Sequence, residues 1–312
     1  MKEKVKKIIQ NKDKTIPILS FPAAQCLGIS VNELISSSDR QAEGMEAIAA
    51  RCSIGASLNM MDLSVEAECF GAKVRFYESE NPTVEKGIID DISQAPGIVV
   101  PEVGSGRTGI YIKGVEKAKR RIKDIPVFCG VIGPYSLAGR LFDMTELMMA
   151  CFDDPDNVAV LLGKTEEFLI EYIRAYKEAG ADGVIMAEPA AGLLSPSLAG
   201  EFSTPYVKRI FDAVRDDDFV VCYHNCGNTV VDMTEQISSL DADILHFGNA
   251  VRLADIIPRL PSDVVVMGNV DPVLFKNGGV QDIRDSLQRV YDDCHMYDNF
   301  MISSGCDIPA AA

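Results

Sequence analysis

Short apolar segments alternate with helical patterns from about residue 125 to the end of the sequence. The segments cover residues 126–131, 183–187, 219–223, 244–247, 264–267 and 300–303. Short, nearly continuous apolar segments are typical of parallel strands that are covered on both faces. The clearest helix between them covers 155–179, because Asp154 and Pro155 favour a helix start and Gly180 favours its end. Six consecutive β-α units predict a parallel sheet, either closed as a barrel or open and doubly wound.

The first 125 residues decide between these two architectures. They contain a predicted helix over 39–52 and extended stretches around 60–63 and 73–77, which would supply two further strands. Eight strands close a TIM (β/α)8 barrel, a fold that usually takes about 250 residues. We therefore predict a single TIM-barrel domain over residues 1–312, with residues of about 1–55 as an N-terminal helical and extended decoration packed on the barrel.

The composition excludes several classes of function. Acidic residues outnumber basic ones 46 to 30, for a formal net charge of −16, which argues against binding nucleic acid or an anionic membrane surface. No segment approaches the roughly 18 apolar residues of a membrane span, and the N-terminus has no signal-peptide core. The nine scattered cysteines argue against a disulfide framework. We expect a soluble, cytoplasmic protein.

The sequence His224-Asn225-Cys226-Gly227 follows the predicted strand over 219–223. Residues two apart on a strand share a face, so His224 and Cys226 can converge on one ion. Cys306 follows the last predicted strand, and the carboxyl ends of barrel strands carry the active site. One histidine and two thiolates form a zinc set that leaves a position open for substrate. Alternatively, these cysteines are core residues and the pairing arises by chance, as we expect for Cys222, which lies one layer deeper.

Other polar residues also follow predicted strands. Glu188, His246, Asn269 and Asp271 are candidates for metal ligands, for partners of those ligands or for substrate contacts. Each of them, and Asp271 in particular, is equally explained as the cap of the next helix. Tyr135 belongs to the 133–136 segment, which begins a helix directly after a strand and whose free N–H groups could hold a small anion. An ordinary helix start explains the same segment. We take these five residues as candidate substrate-binding residues.

Seven segments together resemble a known family. They are 18–22, 61–68, 133–134, 188–189, 224–227, 268–272 and 305–306. The chain resembles the uroporphyrinogen decarboxylase superfamily and, within it, the methylcobamide:coenzyme M methyltransferase branch. This resemblance implies a TIM barrel in which His224, Cys226 and Cys306 bind zinc. The zinc would activate a thiol that takes a methyl group from the methyl-Co(III) of a corrinoid protein.

Three departures from the family pattern qualify what the resemblance implies. The decarboxylases carry an arginine-rich segment near the N-terminus, whereas residues 21–27 contain no arginine, which disfavours decarboxylation. The related cobalamin-independent methionine synthases add a Glu ligand about one strand later. Here that place is taken by Phe247-Gly248-Asn249, so the fourth ligand is unidentified. Family members also continue into a closing helix, whereas this sequence ends six residues after Cys306, as a truncated chain would.

We predict a zinc-dependent methyltransferase that moves a methyl group from a methylated corrinoid protein, or methylcobalamin, to a thiol such as coenzyme M. His224, Cys226 and Cys306 are the predicted catalytic and metal-binding residues. Two thiolates and a neutral imidazole cancel the charge of Zn2+, so an added substrate thiolate retains its nucleophilicity. The alternatives are a decarboxylase of the uroporphyrinogen type and a non-catalytic, zinc-stabilised barrel subunit of a corrinoid complex.

Overall fold

The computed structural model describes Val5 and residues 14–312. The described residues form β1 (Ser57–Leu58), β2 (Lys73–Arg75), β3 (Thr83–Lys86), β4 (Val127–Ile132), β5 (Gly183–Ala187), β6 (Val220–Asn225), β7 (Ile244–Phe247), β8 (Val265–Val270) and β9 (Phe300–Ser304). The α-helices among them are α1 (Ala23–Leu27), α2 (Val31–Ile35), α3 (Ser38–Arg51), α4 (Val65–Cys69), α5 (Gly106–Arg121), α6 (Pro134–Leu141), α7 (Met144–Asp153), α8 (Pro155–Glu178), α9 (Pro196–Phe202), α10 (Thr204–Val214), α11 (Thr234–Ser238), α12 (Leu253–Ile256), α13 (Leu274–Asn277) and α14 (Val280–Cys294).

Seven strands form one curled parallel sheet in the order β1-β4-β5-β6-β7-β8-β9. The six strands expected after residue 125 are all present, and β5 and β7 have the predicted bounds. The central strands are buried along their whole length, because helices cover one face of the sheet and the barrel interior covers the other. The predicted TIM-barrel class of fold is confirmed.

The barrel interior is filled by apolar side chains that alternate along the strands. One separate buried cluster gathers inward-pointing residues from seven strands: Leu58, Phe128, Ile185, Val220, Cys222, Ile244, Val265, Met267 and Met301. Residues two apart on a strand share a face, so His224 lies on the same face of β6 as Val220 and Cys222, one layer nearer the carboxyl end. Cys222 is fully buried in this cluster, as expected for core packing.

The N-terminal segment 15–18 lies in the gap between β9 and β1. The amide of Gly55 donates to the carbonyl of Thr15 at 2.8 Å, and the amide of Ile16 donates to the carbonyl of Ile302 at 3.4 Å. Ile16 and Ile18 point into the interior cluster. This part of the predicted decoration over 1–55 therefore contributes to the barrel wall, whereas residues 1–4 and 6–13 of it lie outside the described residues.

The expectation that residues 73–77 supply a barrel strand is wrong. Residues 73–75 form β2, which pairs with β3 in a separate two-stranded antiparallel sheet. Lys73 and Arg75 are exposed and form ion pairs with Glu85 on β3. A strand with charges on an open face suits a surface hairpin and does not suit a parallel strand covered on both sides. The expectation of a strand at 60–63 is also wrong: the short strand β1 ends at Leu58, just before that stretch, and the described residues form a parallel sheet of seven strands where eight were expected.

The helices pack on the outside of the sheet. The helix predicted over 155–179 is α8, and the side chain of Asp154 accepts a hydrogen bond from the amide of Asn157 at 3.2 Å to cap it. Its buried stripe includes Leu161, Phe168 and Tyr172. Among the described residues, we find no helix with the length and apolar character that crossing a membrane requires.

Candidate metal centre

Three predicted ligands meet at the carboxyl ends of β6 and β9. One ligand atom from each of His224, Cys226 and Cys306 lies within 4.8 Å of the other two. The Cys306 sulfur is 3.6 Å from Nε2 of His224. His224 is buried, and the two cysteines are half-buried, so the cluster faces the mouth of the barrel. The convergence expected from the strand period of two is present.

Two glycines allow the surrounding chain to come this close. A Cβ atom on Gly248, after β7, would lie 2.6 Å from both Cα and Cβ of Cys226. A Cβ atom on Gly305 would lie 2.7 Å from the amide nitrogen of Asn249. Both distances are far shorter than a carbon contact permits, so the backbone around Cys226 and Cys306 depends on these residues lacking a side chain.

The N-terminal segment fixes the loop that carries Cys306. The Ser20 hydroxyl donates to Oδ1 of Asp307 at 2.8 Å, and the amide of Ile308 donates to the carbonyl of Ile18 at 2.9 Å. At the end of β9, the Ser303 hydroxyl donates to the carbonyl of Ile16 at 2.6 Å. Contacts between chain segments nearly 290 residues apart therefore determine where the Cys306 sulfur lies.

A second histidine sets the orientation of the first. Nε2 of His246 lies 2.7 Å from the carbonyl oxygen of Ser304, and a carbonyl accepts only, so this nitrogen carries a proton. Burial, reinforced by the neighbouring His224, lowers the pKa of His246 and keeps its ring neutral. Its Nδ1 is then an acceptor, and it lies 2.7 Å from Nδ1 of His224. His224 must donate from Nδ1, which leaves the lone pair of Nε2 facing the two sulfurs.

The two thiols influence each other strongly. A hydrogen bond from the Cys306 thiol lowers the pKa of Cys226 well below its ordinary value. The adjacent Cys226 sulfur, together with burial, raises the pKa of Cys306. A thiolate is therefore stable in this cluster at neutral pH, and thiolates are the form in which cysteines bind metals.

These donors fit a zinc ion. Zinc prefers nitrogen and sulfur ligands, and a site with three protein ligands keeps one position for a substrate. Among the described His, Cys, Asp and Glu residues, only His224, Cys226 and Cys306 come together in a group of this kind. Asn249, next to the place where a Glu ligand was sought, lies against Gly305. The expected fourth ligand is thus not supplied by a carboxylate among the described residues.

Glu188 and Tyr135 meet at the start of α6. The carboxylate of Glu188 accepts hydrogen bonds from the amide of Tyr135 at 2.9 Å, from the amide of Ser136 at 2.7 Å and from the Ser136 hydroxyl. The anion at this helix start therefore comes from the chain itself. The Tyr135 side chain is fully buried, with its hydroxyl 3.8 Å from the Cys151 sulfur. Burial raises the pKa of Glu188 to about 7.

Asn269, Asp271 and His246 also have protein partners. The Asn269 side chain donates to the carbonyls of Gly248 and Val251 at 3.0 and 2.7 Å, which holds the loop after β7. Asp271 accepts from the amide of Val273 at 2.9 Å and so caps the turn that follows it. His246 is fully buried behind His224. The geometry supports positioning roles for these side chains, and their contact with a substrate stays a prediction.

Sequence reasoning missed a buried charged network beside β4. Arg107, on α5, pairs with both Asp62 and Glu68, and the Tyr111 hydroxyl donates to Asp62 at 2.7 Å. Glu66 is fully buried; its Oε1 accepts from the amide of Ile132 at 3.0 Å, whereas its Oε2 has no partner. Three acidic residues in the otherwise apolar stretch 61–70 were the available signal, because buried carboxylates require a cation or a proton.

A cavity of about 580 Å³ opens next to the carboxyl ends of β4 and β5. Its walls include Ile132, Ser136, Arg140, Pro189 and Ala190, and residues 84–87 and 89–90, from β3 and the segment after it, form another side. His224 follows directly along the sheet, since the amide of Glu188 donates to the His224 carbonyl at 2.9 Å. The cavity and the ligand cluster therefore share the mouth of the barrel on neighbouring strands.

The fold and the site together define a TIM-barrel protein with a candidate His-Cys-Cys metal centre at the mouth of the barrel. The family model for uroporphyrinogen decarboxylase (URO-D) matches residues 17–312. The chain therefore belongs to the uroporphyrinogen decarboxylase family.

Two curated relatives represent two activities. Methylcobamide:CoM methyltransferase MtbA from Methanosarcina acetivorans is 26% identical over 254 residues, which cover 79% of this chain and 72% of that protein. Uroporphyrinogen decarboxylase from Desulfotalea psychrophila is 25% identical over 226 residues, which cover 70% of this chain and 64% of that protein. A solved methyltransferase from Methanosarcina mazei shares the fold, with a TM-score of 0.85 at 20% identity over 97% of this chain and 91% of that one.

Proposed function

We propose that the protein is a zinc-dependent methyltransferase that transfers a methyl group from a methylated corrinoid protein to a thiol such as coenzyme M. The observation that carries this proposal is the convergence of one nitrogen and two sulfur ligands within 4.8 Å at the mouth of the barrel. The similarity to a methylcobamide:CoM methyltransferase supports the same reaction.

The residues of the centre suit the activation of a thiol. Cys226 and Cys306 would bind the metal as thiolates, and His224 would bind it through Nε2, because His246 keeps the proton of His224 on Nδ1. A zinc ion held there would lower the pKa of a substrate thiol and present it as the nucleophilic thiolate. The two protein thiolates cancel the double positive charge, so the substrate sulfur keeps its electron density.

The centre also suits a large methyl donor. His224 and the two cysteines lie at the carboxyl ends of the strands, where a barrel is open, and Cys226 and Cys306 are both partly exposed. In the transfer the substrate sulfur forms a bond to the methyl carbon, the cobalt–carbon bond breaks, and its electron pair stays on cobalt. The chain contributes the fixed position of the sulfur opposite the incoming corrinoid.

A decarboxylase is the second candidate, because a relative carries that name. The N-terminal segment argues against it: residues 21–27 contain no arginine, and Ala23 and Ala24 are buried. A zinc site used only for folding is the third. It predicts that removal of the metal unfolds the barrel. The apolar interior of the barrel takes residues from strands throughout the sheet, so we expect the fold to persist without the metal.

The direct test uses the purified protein with methylcobalamin and coenzyme M. We expect about one zinc per chain and formation of the methyl thioether. Cys226→Ser should lose both zinc and activity, whereas the matched variant Cys52→Ser, at an exposed cysteine far from the centre in sequence, should keep both. Full zinc content in Cys226→Ser, or no methylated thiol from the zinc-loaded protein, would contradict the proposal.

A further inference from the structure

Arg140 lies in the wall of the cavity next to the carboxyl ends of β4 and β5. It is on α6, one turn after Ser136, and its side chain is only partly exposed. Among the described residues, its guanidinium has no hydrogen-bond or ion-pair partner. Burial lowers the pKa of Arg140, and the attraction of Asp62 opposes this shift. Arginine nevertheless stays protonated in proteins, so the cavity wall carries a positive charge at this position.

Several other charged residues around the cavity have partners in the protein. Lys86 pairs with Asp90 at 3.2 Å, and Glu85 pairs with Lys73 and Arg75 from the neighbouring strand. Asp143 accepts hydrogen bonds from the amides of Thr145 and Glu146 as the cap of α7.

Two carboxylates near Arg140 are engaged elsewhere. Asp62 is bound to Arg107, Tyr111 and Ser64, and Glu188 is bound to the start of α6. Glu146 also lines the cavity and is exposed. A partly buried cation that makes no hydrogen bond or ion pair among the described residues is an unusual feature, because desolvation of an unpaired charge is costly. An anionic ligand would supply the missing partner.

We propose that Arg140 binds the anionic end of the thiol substrate, a sulfonate or a carboxylate, while the thiol end reaches the metal centre. This inference rests on the proposed function, since it assigns the other end of the same substrate. The start of α6 cannot serve this purpose because Glu188 already accepts from its amides. Arginine binds such oxyanions through two parallel N–H···O hydrogen bonds.

The first experiment compares two thiols that share the mercaptoethyl group and differ in the end group, which is anionic in one and neutral in the other. Coenzyme M, which is 2-mercaptoethanesulfonate, carries the anion, and 2-mercaptoethanol does not. In Arg140→Gln we expect the KM for coenzyme M to rise about 10- to 100-fold, as for the loss of a charge-assisted hydrogen bond, with little change in kcat. Activity with 2-mercaptoethanol should be unchanged. Arg140→Lys should recover part of the loss, because it restores the charge without the planar group.

Arg284→Gln, at an exposed position on α14, is the matched control and should leave both thiols unaffected. Equal effects of Arg140→Gln on the two thiols, or an unchanged KM for coenzyme M, would overturn the assignment of Arg140.

A second experiment separates this assignment from the methyl transfer. Ethanesulfonate has the anionic end and no thiol, so its binding requires neither zinc chemistry nor a corrinoid. We expect it to raise the melting temperature of the wild-type protein and not that of Arg140→Gln. Equal stabilisation of both proteins would overturn the anion site. If ethanesulfonate binding depends on Arg140 but the protein methylates no thiol, the result would support the anion site and contradict the proposed function.

Discussion

The two sides of the barrel mouth differ in whether their polar side chains already have partners within the protein. On the side of β6, β7 and β9, one ligand atom from each of His224, Cys226 and Cys306 faces the other two. These three atoms could together bind a metal ion. On the side of β4 and β5, the carboxylates of Asp62 and Glu188 are each bound by several donors of the protein. We call these the sulfur side and the carboxylate side.

The difference separates groups that can take an external ligand from groups that hold the structure. A buried polar group with all its hydrogen bonds made has nothing to offer a substrate, and removing it leaves its partners unsatisfied. A cluster with open lone pairs can bind a metal. Mutations of His224, Cys226 or Cys306 should therefore affect metal binding and activity, and mutations of the paired carboxylates Asp62 and Glu188 should affect stability.

The largest effect should come from Cys306→Ser. A serine hydroxyl is a poor zinc ligand, so we expect metal binding and thiol methylation to fall below detection, with a loss of more than about 100-fold. The free energy of unfolding of the metal-free protein should change by less than about 1 kcal/mol, because Cys306 is only half-buried. Metal analysis and urea unfolding of the same preparation measure both quantities. A large loss of stability with zinc retained would reverse the assignment of the sulfur side.

His246→Ala should have the next largest effect. Without His246, the tautomer of His224 is no longer fixed, and loss of such an outer partner weakens metal binding by about 10- to 100-fold. Competition with a chelating dye measures this affinity directly. His246→Asn, which can retain one hydrogen bond, should lose less. An unchanged zinc affinity in His246→Ala would show that His224 is held by other contacts.

Glu188→Ala should act on stability alone. It leaves the buried amides of Tyr135 and Ser136 without an acceptor, and we expect a loss of about 2–3 kcal/mol. Glu188→Gln keeps one acceptor oxygen and should lose less. Urea unfolding gives the stability, and zinc content is the control that should not change. A Glu188→Ala protein that is as stable as the wild type but no longer methylates thiols would show that Glu188 acts in the reaction and not in stability.

The last prediction concerns the pH dependence of stability, which builds up gradually over several pH units. Burial raises the pKa of Glu66 to about 8, above its value in the unfolded chain. Between about pH 4.5 and 8 the unfolded state ionises this group while the folded state keeps its proton, so folding loses up to about 1.4 kcal/mol per pH unit. Glu66→Gln removes this contribution. Its stability relative to wild type should therefore increase from pH 5 to pH 8, as urea midpoints can show. A constant difference over that range would contradict the buried, protonated state.

The sequence predicted those features that depend on residues close together in the chain. The strands β4 to β9 were predictable from short apolar segments, and the period of two placed His224 and Cys226 on one face. The missed features depend on distant contacts. Residues 15–18, which were predicted to belong to the decoration over about 1–55, lie between β9 and β1 and make hydrogen bonds to β9, nearly 290 residues away. The start of α6 was expected to leave free N–H groups for a small anion, whereas in the structure these groups bind Glu188, which comes from the end of another strand.

The proposed function requires that His224, Cys226 and Cys306 hold a zinc ion with a position open to a thiol. X-ray absorption at the zinc edge, recorded before and after addition of coenzyme M, tests it most directly. We expect two sulfur ligands and one histidine nitrogen from the protein before addition. A third sulfur should then replace a lighter ligand, and one proton should be released near neutral pH. An unchanged sulfur count at saturating thiol, in a protein that holds a full equivalent of zinc, would contradict the account.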